Sequence, residues 1–65
     1  MNLREIRMQK RMTQRVLARR ASVTQAYISQ IENNIKQNVG VIVLKRIASA
    51  LGVDAAMLMM DNTLA

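Results

Sequence analysis

The 65-residue chain is predicted to fold as a compact all-α domain of five short helices. Three features predict it. Apolar residues recur at helical spacing through most of the chain, as in Leu3/Ile6, Ile28/Ile31 and Leu44/Ile47/Ala48/Leu51. Thr13, Thr24 and Asp54 each stand just before such a segment, where an N-cap belongs. The chain has no proline, no Gly/Ser-rich linker and no repeat, so nothing divides residues 1–65 into more than one domain.

Residues 2–11 fit a first helix. Asn2 can cap it through its side-chain oxygen, and Leu3 and Ile6 share one side. Thr13 caps a second helix from Gln14 to Ala21. Val16 and Leu17 are expected to point inward, and Ala18 is small enough for another helix to cross close by. The next turn is Ala21-Ser22-Val23-Thr24. Ser22 ends the second helix and Thr24 caps the third, which runs from Gln25 to Asn33. Ile28 and Ile31 form the apolar face of that third helix, with Val23 entering just before it. Its other side carries Gln25, Ala26, Ser29, Gln30 and Asn33, all small or amide and none charged.

Residues 34–40 read as a polar loop with Ile35 tucked beneath it. The run VGVIVL (39–44) is β-branched and by propensity alone favours a strand. The spacing that follows is helical, however, and Gly52 supplies a left-handed C-terminal residue. A fourth helix over 41–51 is therefore the expectation. Asp54 caps a last helix from Ala55 to about Met60, and residues 61–65 are expected to fray.

A chain of this length is near the lower limit for folding alone. Its apolar fraction of 51% is ample for a small core. It has neither Cys nor His, so no disulfide or thiolate metal site can staple it. It also offers no imidazole base or thiol nucleophile. The acids Glu5, Glu32, Asp54 and Asp61 are scattered and form no carboxylate pair. An enzyme is not expected, nor any cofactor or metal.

The net charge is +6, and the excess lies in the first third of the chain. There Arg4, Arg7, Lys10, Arg11, Arg15, Arg19 and Arg20 face Glu5 alone. Such a balance suits a polyanionic partner, or else a solvated helix face. No apolar run is long enough to span a bilayer and none resembles a signal peptide. The expected location is cytoplasmic, at the nucleoid.

A helix that reads DNA needs a rigid helix behind it, short polar side chains outside, and basic or N–H-rich flanks for phosphates. Residues 13–33 combine all three. A glutamine amide can donate to adenine N7 while accepting from its N6 amino group, so Gln14, Gln25 and Gln30 mark the contact points. Taken singly, such residues are ordinary solvated side chains. Their force comes from the set.

The chain resembles the helix-turn-helix domain of the phage repressor and Cro family, the Xre-type regulators. The resemblance covers residues 3 to about 60 without a gap. It rests on Leu3, Ile6-Arg7, Met12-Thr13-Gln14, Leu17-Ala18, Val23-Thr24-Gln25, Tyr27-Ile28-Ser29, Ile31-Glu32-Asn33, Leu44, Ile47-Ala48 and Ala50-Leu51-Gly52-Val53. It implies a five-helix lambda-repressor-like fold with the helix-turn-helix at helices two and three, and the third helix in the major groove.

By that resemblance Gln25, Ala26 and Gln30 face bases, and Tyr27 and Ser29 reach a base or a phosphate. Gln14 and Asn33 bind phosphate, and Lys36 lies along the backbone. Arg7 and Glu32 stand where family members often pair, although Arg7 could instead grip DNA. Arg11 and Arg15 are the better electrostatic contacts. Arg19 and Arg20 fall on the far side of the second helix. Half-buried packing is an equal reading for Tyr27.

The chain departs from the family pattern at three places. Ser22 occupies a turn position usually held by Gly. Val39 and Gly40 replace the usual Pro and the usual Ser or Thr cap before the fourth helix. The last helix, with Met57, Leu58, Met59 and Met60, is unusually apolar. Leu58 with Met57 is expected to complete the core, while Met57, Met59 and Met60 suit a homodimer interface. The expected function is a sequence-specific regulator of transcription, a repressor that binds double-stranded DNA as a dimer. The alternative is a protein-interaction module, such as an antitoxin, whose partner is a toxin or co-regulator. A membrane-active peptide would use only residues 1–20.

Overall fold

Threonine hydroxyls start the two central helices. In the computed structural model, which describes residues 3–35 and 39–58, Val16 N–H donates to Thr13 Oγ1 and Tyr27 N–H to Thr24 Oγ1, each at 3.1 Å. Each bond satisfies a donor that the helix itself leaves unpaired. Four helices run in the order α1 (Leu3–Gln9), α2 (Gln14–Ala21), α3 (Gln25–Glu32) and α4 (Val41–Leu51). A further helical turn, α5, covers 55–58, where Asp54 Oδ1 accepts from Ala56 N–H at 3.0 Å. No strand occurs among the described residues.

All four longer helices are closed by a left-handed residue, namely Arg11 (φ 54°), Ser22 (φ 60°), Asn34 (φ 60°) and Gly52 (φ 73°). In each case the next N–H reaches back five residues. Met12 bonds the Arg7 carbonyl at 3.1 Å, Val23 bonds Ala18 at 2.9 Å, Ile35 bonds Gln30 at 2.9 Å and Val53 bonds Ala48 at 3.0 Å. This arrangement satisfies carbonyls that would otherwise be orphaned. Only Gly52 adopts the conformation without a Cβ penalty.

The core is built around α2, which packs on α3 along one side and on α4 along another. Ala18, Ala21 and Ala48 are buried at these contacts, and their small side chains let the helix axes approach. Leu3, Leu17, Ile28, Ile47 and Leu58 are fully enclosed, each contributing about 1.5–3 kcal/mol relative to exposure. In α4 the helical spacing prevails over β-branched propensity, because Leu44, Ile47, Ala48 and Leu51 form one buried stripe. Gly40 precedes α4 and offers no side-chain cap.

Five expectations need correction. The first helix ends at Gln9 rather than residue 11, because the chain turns left-handed at Arg11. Val16 is 37% exposed, because Leu17, Ala18 and Ala21 define the inward direction of α2 and Val16 falls at its edge. Ile35 is 72% exposed rather than buried. Met57 is 51% exposed, so Leu58 enters the core without it. The α3 helix stops at Glu32, with Asn33 following as its cap. Asn2, Lys36, Met59, Met60 and the tail 61–65 lie outside the described residues.

Candidate nucleic-acid interface

The outer face of α3 is polar and open. Gln25, Ala26, Gln30 and Asn33 are exposed, and Ser29 is half-buried. Opposite them, Ile28 and Ile31 anchor the helix in the core. Tyr27 is half-buried, packed against the core from the side.

The C-terminal end of α3 is held by a polar network centred on Glu32, whose side chain is fully enclosed. Arg7 Nε donates to Glu32 Oε2 at 2.6 Å and Arg7 Nη2 to Oε1 at 3.1 Å, a two-pronged grip from α1. Arg7 Nη1 also donates to the Met12 carbonyl at 2.8 Å, tying the corner between α1 and α2. Gln14 Nε2, from the first turn of α2, donates to Glu32 Oε1 at 3.0 Å. Arg4 adds a bond to Glu32 Oε1 at 3.4 Å and one to Asn33 Oδ1 at 3.0 Å. Asn33 Nδ2 donates to Ser29 Oγ at 3.2 Å.

Burial alone would raise the Glu32 pKa. The hydrogen bonds from Arg7, Gln14 and Arg4, with the charge of Arg7, outweigh it and hold the carboxyl below its ordinary value. Glu32 is therefore a carboxylate across the neutral range. It joins one face of each of three helices.

Beside this network lies an open cleft of about 380 Å³, bordered by Arg11, Thr13, Gln14, Arg15 and Gln25. It brings together the first turn of α2, the first residue of α3 and two exposed arginines, residues separated by up to fourteen positions in sequence. Asn33 lies at the other end of α3. Arg4 has a place in this site that pattern reading missed. It precedes Arg7 by three positions on the same helix, which puts both on one face and could have revealed it.

A scan against protein-family models matches residues 3–58 to a helix-turn-helix family of the Cro/C1 type, Xre-like. The chain belongs to this family. No curated protein matches the sequence. The Cro/C1-type domain is a DNA-binding, regulatory one, and its helix-turn-helix here is α2, the Ser22 turn and α3. Among the described residues no helix is long and apolar enough to cross a membrane.

Proposed function

We propose that this Cro/C1-type domain, a single unit over residues 1–65, is a sequence-specific transcriptional repressor. It places α3 in the major groove of a two-fold symmetric operator and acts as a homodimer in the cytoplasm. One observation carries the reading: Gln25 and Gln30 project from α3 exposed and without a side-chain hydrogen bond among the described residues. Their amides are free to pair with base edges. Ala26 sits between them, exposed, where a methyl contact to thymine fits. Ser29 completes the base-facing set.

Phosphates are gripped around it. Gln14 and Asn33 each give one amide N–H to a protein oxygen. An amide nitrogen carries two hydrogens, so each keeps a donor for a phosphate, already aimed by the internal bond. Arg11 and Arg15 flank the cleft, and Tyr27 and Lys36 complete the phosphate-contacting set.

Size supports the homodimer reading. The longest dimension is 28 Å, shorter than the roughly 34 Å between successive major-groove faces. One copy thus covers one half-site. Met57, half exposed beside the enclosed Leu58, supports a contact with a second copy to which Met59 and Met60 would add.

Selection from a random DNA pool at about 150 mM salt tests the proposal. A two-fold symmetric site should be enriched. Gln25→Ala and Gln30→Ala should each lose about 1–3 kcal/mol and relax preference at particular bases. Binding with a steep salt slope but no enriched site would reduce the protein to a phosphate binder. No binding at all would favour a protein-interaction role such as that of an antitoxin.

A further inference from the structure

On a different side of α2 from α3, the molecule carries a second cationic feature. A groove of about 450 Å³ runs between the C-terminal end of α2 and the outer face of α4. Its border is Arg20, Ala21 and Ser22 from the first, and Ile42, Lys45, Arg46, Ser49 and Ala50 from the second. None of these belongs to the DNA-reading set. We propose that this groove docks an acidic amphipathic segment of a partner protein.

Three observations carry the assignment. First, every charged residue lining the groove is a cation. Arg20, Lys45 and Arg46 are exposed, and none is paired with a carboxylate among the described residues. Second, the residues between the cations are small, namely Ala21, Ser22, Ser49 and Ala50, and all but the buried Ala21 are open or half-open to solvent. Ile42 stands at its rim, 70% exposed, with no core neighbour to account for an isoleucine there. Apolar contact of this kind suits an amphipathic peptide better than a phosphate backbone. Third, a second copy of the chain is a poor occupant. Its acids are Glu5, Glu32, Asp54 and Asp61, widely separated. Glu32 is enclosed in the Arg7 network and Asp54 caps α5, so among the described residues no surface offers clustered carboxylates with apolar residues between them.

The groove also explains a charge pattern that DNA reading does not use. On α4, positions 42, 45, 46 and 49 share one face at i, i+3, i+4 and i+7, opposite the buried Leu44–Ile47–Leu51 stripe. Arg20 meets that face from α2. A helix presenting Glu or Asp on either side of a Leu or Ile would seat its apolar residue over Ala21 and Ala50 beside Ile42. Its carboxylates would then reach the three cations.

The test is a titration of the ¹⁵N-labelled full chain with a synthetic helical peptide of about 12 residues, Glu-rich on two edges with a Leu stripe between. A charge-inverted Lys version is the control. Amide shifts should concentrate at 20–22 and 42–50, weaken with added salt, and be absent with the Lys peptide. A Lys45→Glu/Arg46→Glu variant should bind at least about tenfold more weakly. Both positions are exposed, and its far-UV melting curve should stay that of a folded domain. Should that variant fail to fold, Ile42→Ser reads the apolar half of the contact with the same peptide.

Absent shifts, shifts centred elsewhere, or undiminished binding by the variants would overturn the proposal. So would groove shifts that appear only with a random-sequence DNA duplex, or only on raising the concentration of the protein alone. The first would assign the groove to nucleic acid and the second to self-association. The readout needs no operator, so its failure is separate from any failure of the DNA-reading proposal.

Discussion

The two halves of this domain are held together by different physics. From α1 through α3, side chains bond side chains across helices. Arg4, Arg7 and Gln14 converge on Glu32, and Arg4 and Ser29 hold Asn33. The α4 helix makes no side-chain hydrogen bond among the described residues and is fixed by the buried Leu44, Ile47, Ala48 and Leu51, with Val43 and Ala50 packed beside them. Aliphatic packing gives free energy in proportion to area and tolerates small rotations. A two-pronged guanidinium–carboxylate contact works at one distance and one angle. The difference teaches that α4 supplies cohesion, while the network supplies orientation to α3, the helix proposed to read DNA.

The comparison breaks most visibly in the apolar half. Ile47→Ala empties a fully enclosed site between α2 and α4 and should cost about 4 kcal/mol, read by urea unfolding. In a domain this small that is most of the stability. A loss under about 1 kcal/mol would show that α4 is not the source of cohesion.

The network should respond less in stability and more in function. Glu32→Gln keeps the shape but removes the charge, and should cost about 2 kcal/mol. The same variant isolates a pH effect. The folded Glu32 pKa lies below its unfolded value. Its stabilisation is then fully present above the ordinary glutamate range and is lost as pH falls through the folded pKa. Wild-type unfolding free energy should decline through this acid window. The Glu32→Gln variant should lack that component, leaving a shallower slope. Identical slopes would place the acid sensitivity elsewhere.

The smallest effect belongs to the turn between the two kinds of region. Ser22 is left-handed, so Ser22→Gly should raise the thermal midpoint, by about 0.5–1 kcal/mol of stability. A lower midpoint would mean that the added freedom of the unfolded chain outweighs the relieved Cβ contact.

These particulars show what a linear pattern can convey. Helix bounds at Gln14–Ala21 and Val41–Leu51 were legible because caps and periodicity are local. So was the end of the second helix at Ser22, and the capping by Thr13, Thr24 and Asp54. The exposed polar face of α3 was legible for the same reason. The bonds from Gln14 to Glu32 and from Arg4 to Asn33 were not, since they join residues 18 and 29 positions apart and depend on rotamers. Val16 and Ile35 were misjudged because hydrophobicity alone does not say which way a side chain turns at the edge of a stripe or in a loop. The basic groove beside α4 likewise needed three dimensions, because Arg20 and Lys45 meet only when α2 and α4 pack.

The openness of Gln25, Ala26 and Gln30 has a consequence for descent. These side chains make no hydrogen bond to the Glu32 network among the described residues and fill none of the core. Mutations there should leave folding almost unchanged, so, on the proposed reading, a lineage can drift to new operators without passing through unfolded intermediates. An engineer can use the same freedom: a library at those three positions would vary the address and keep the scaffold.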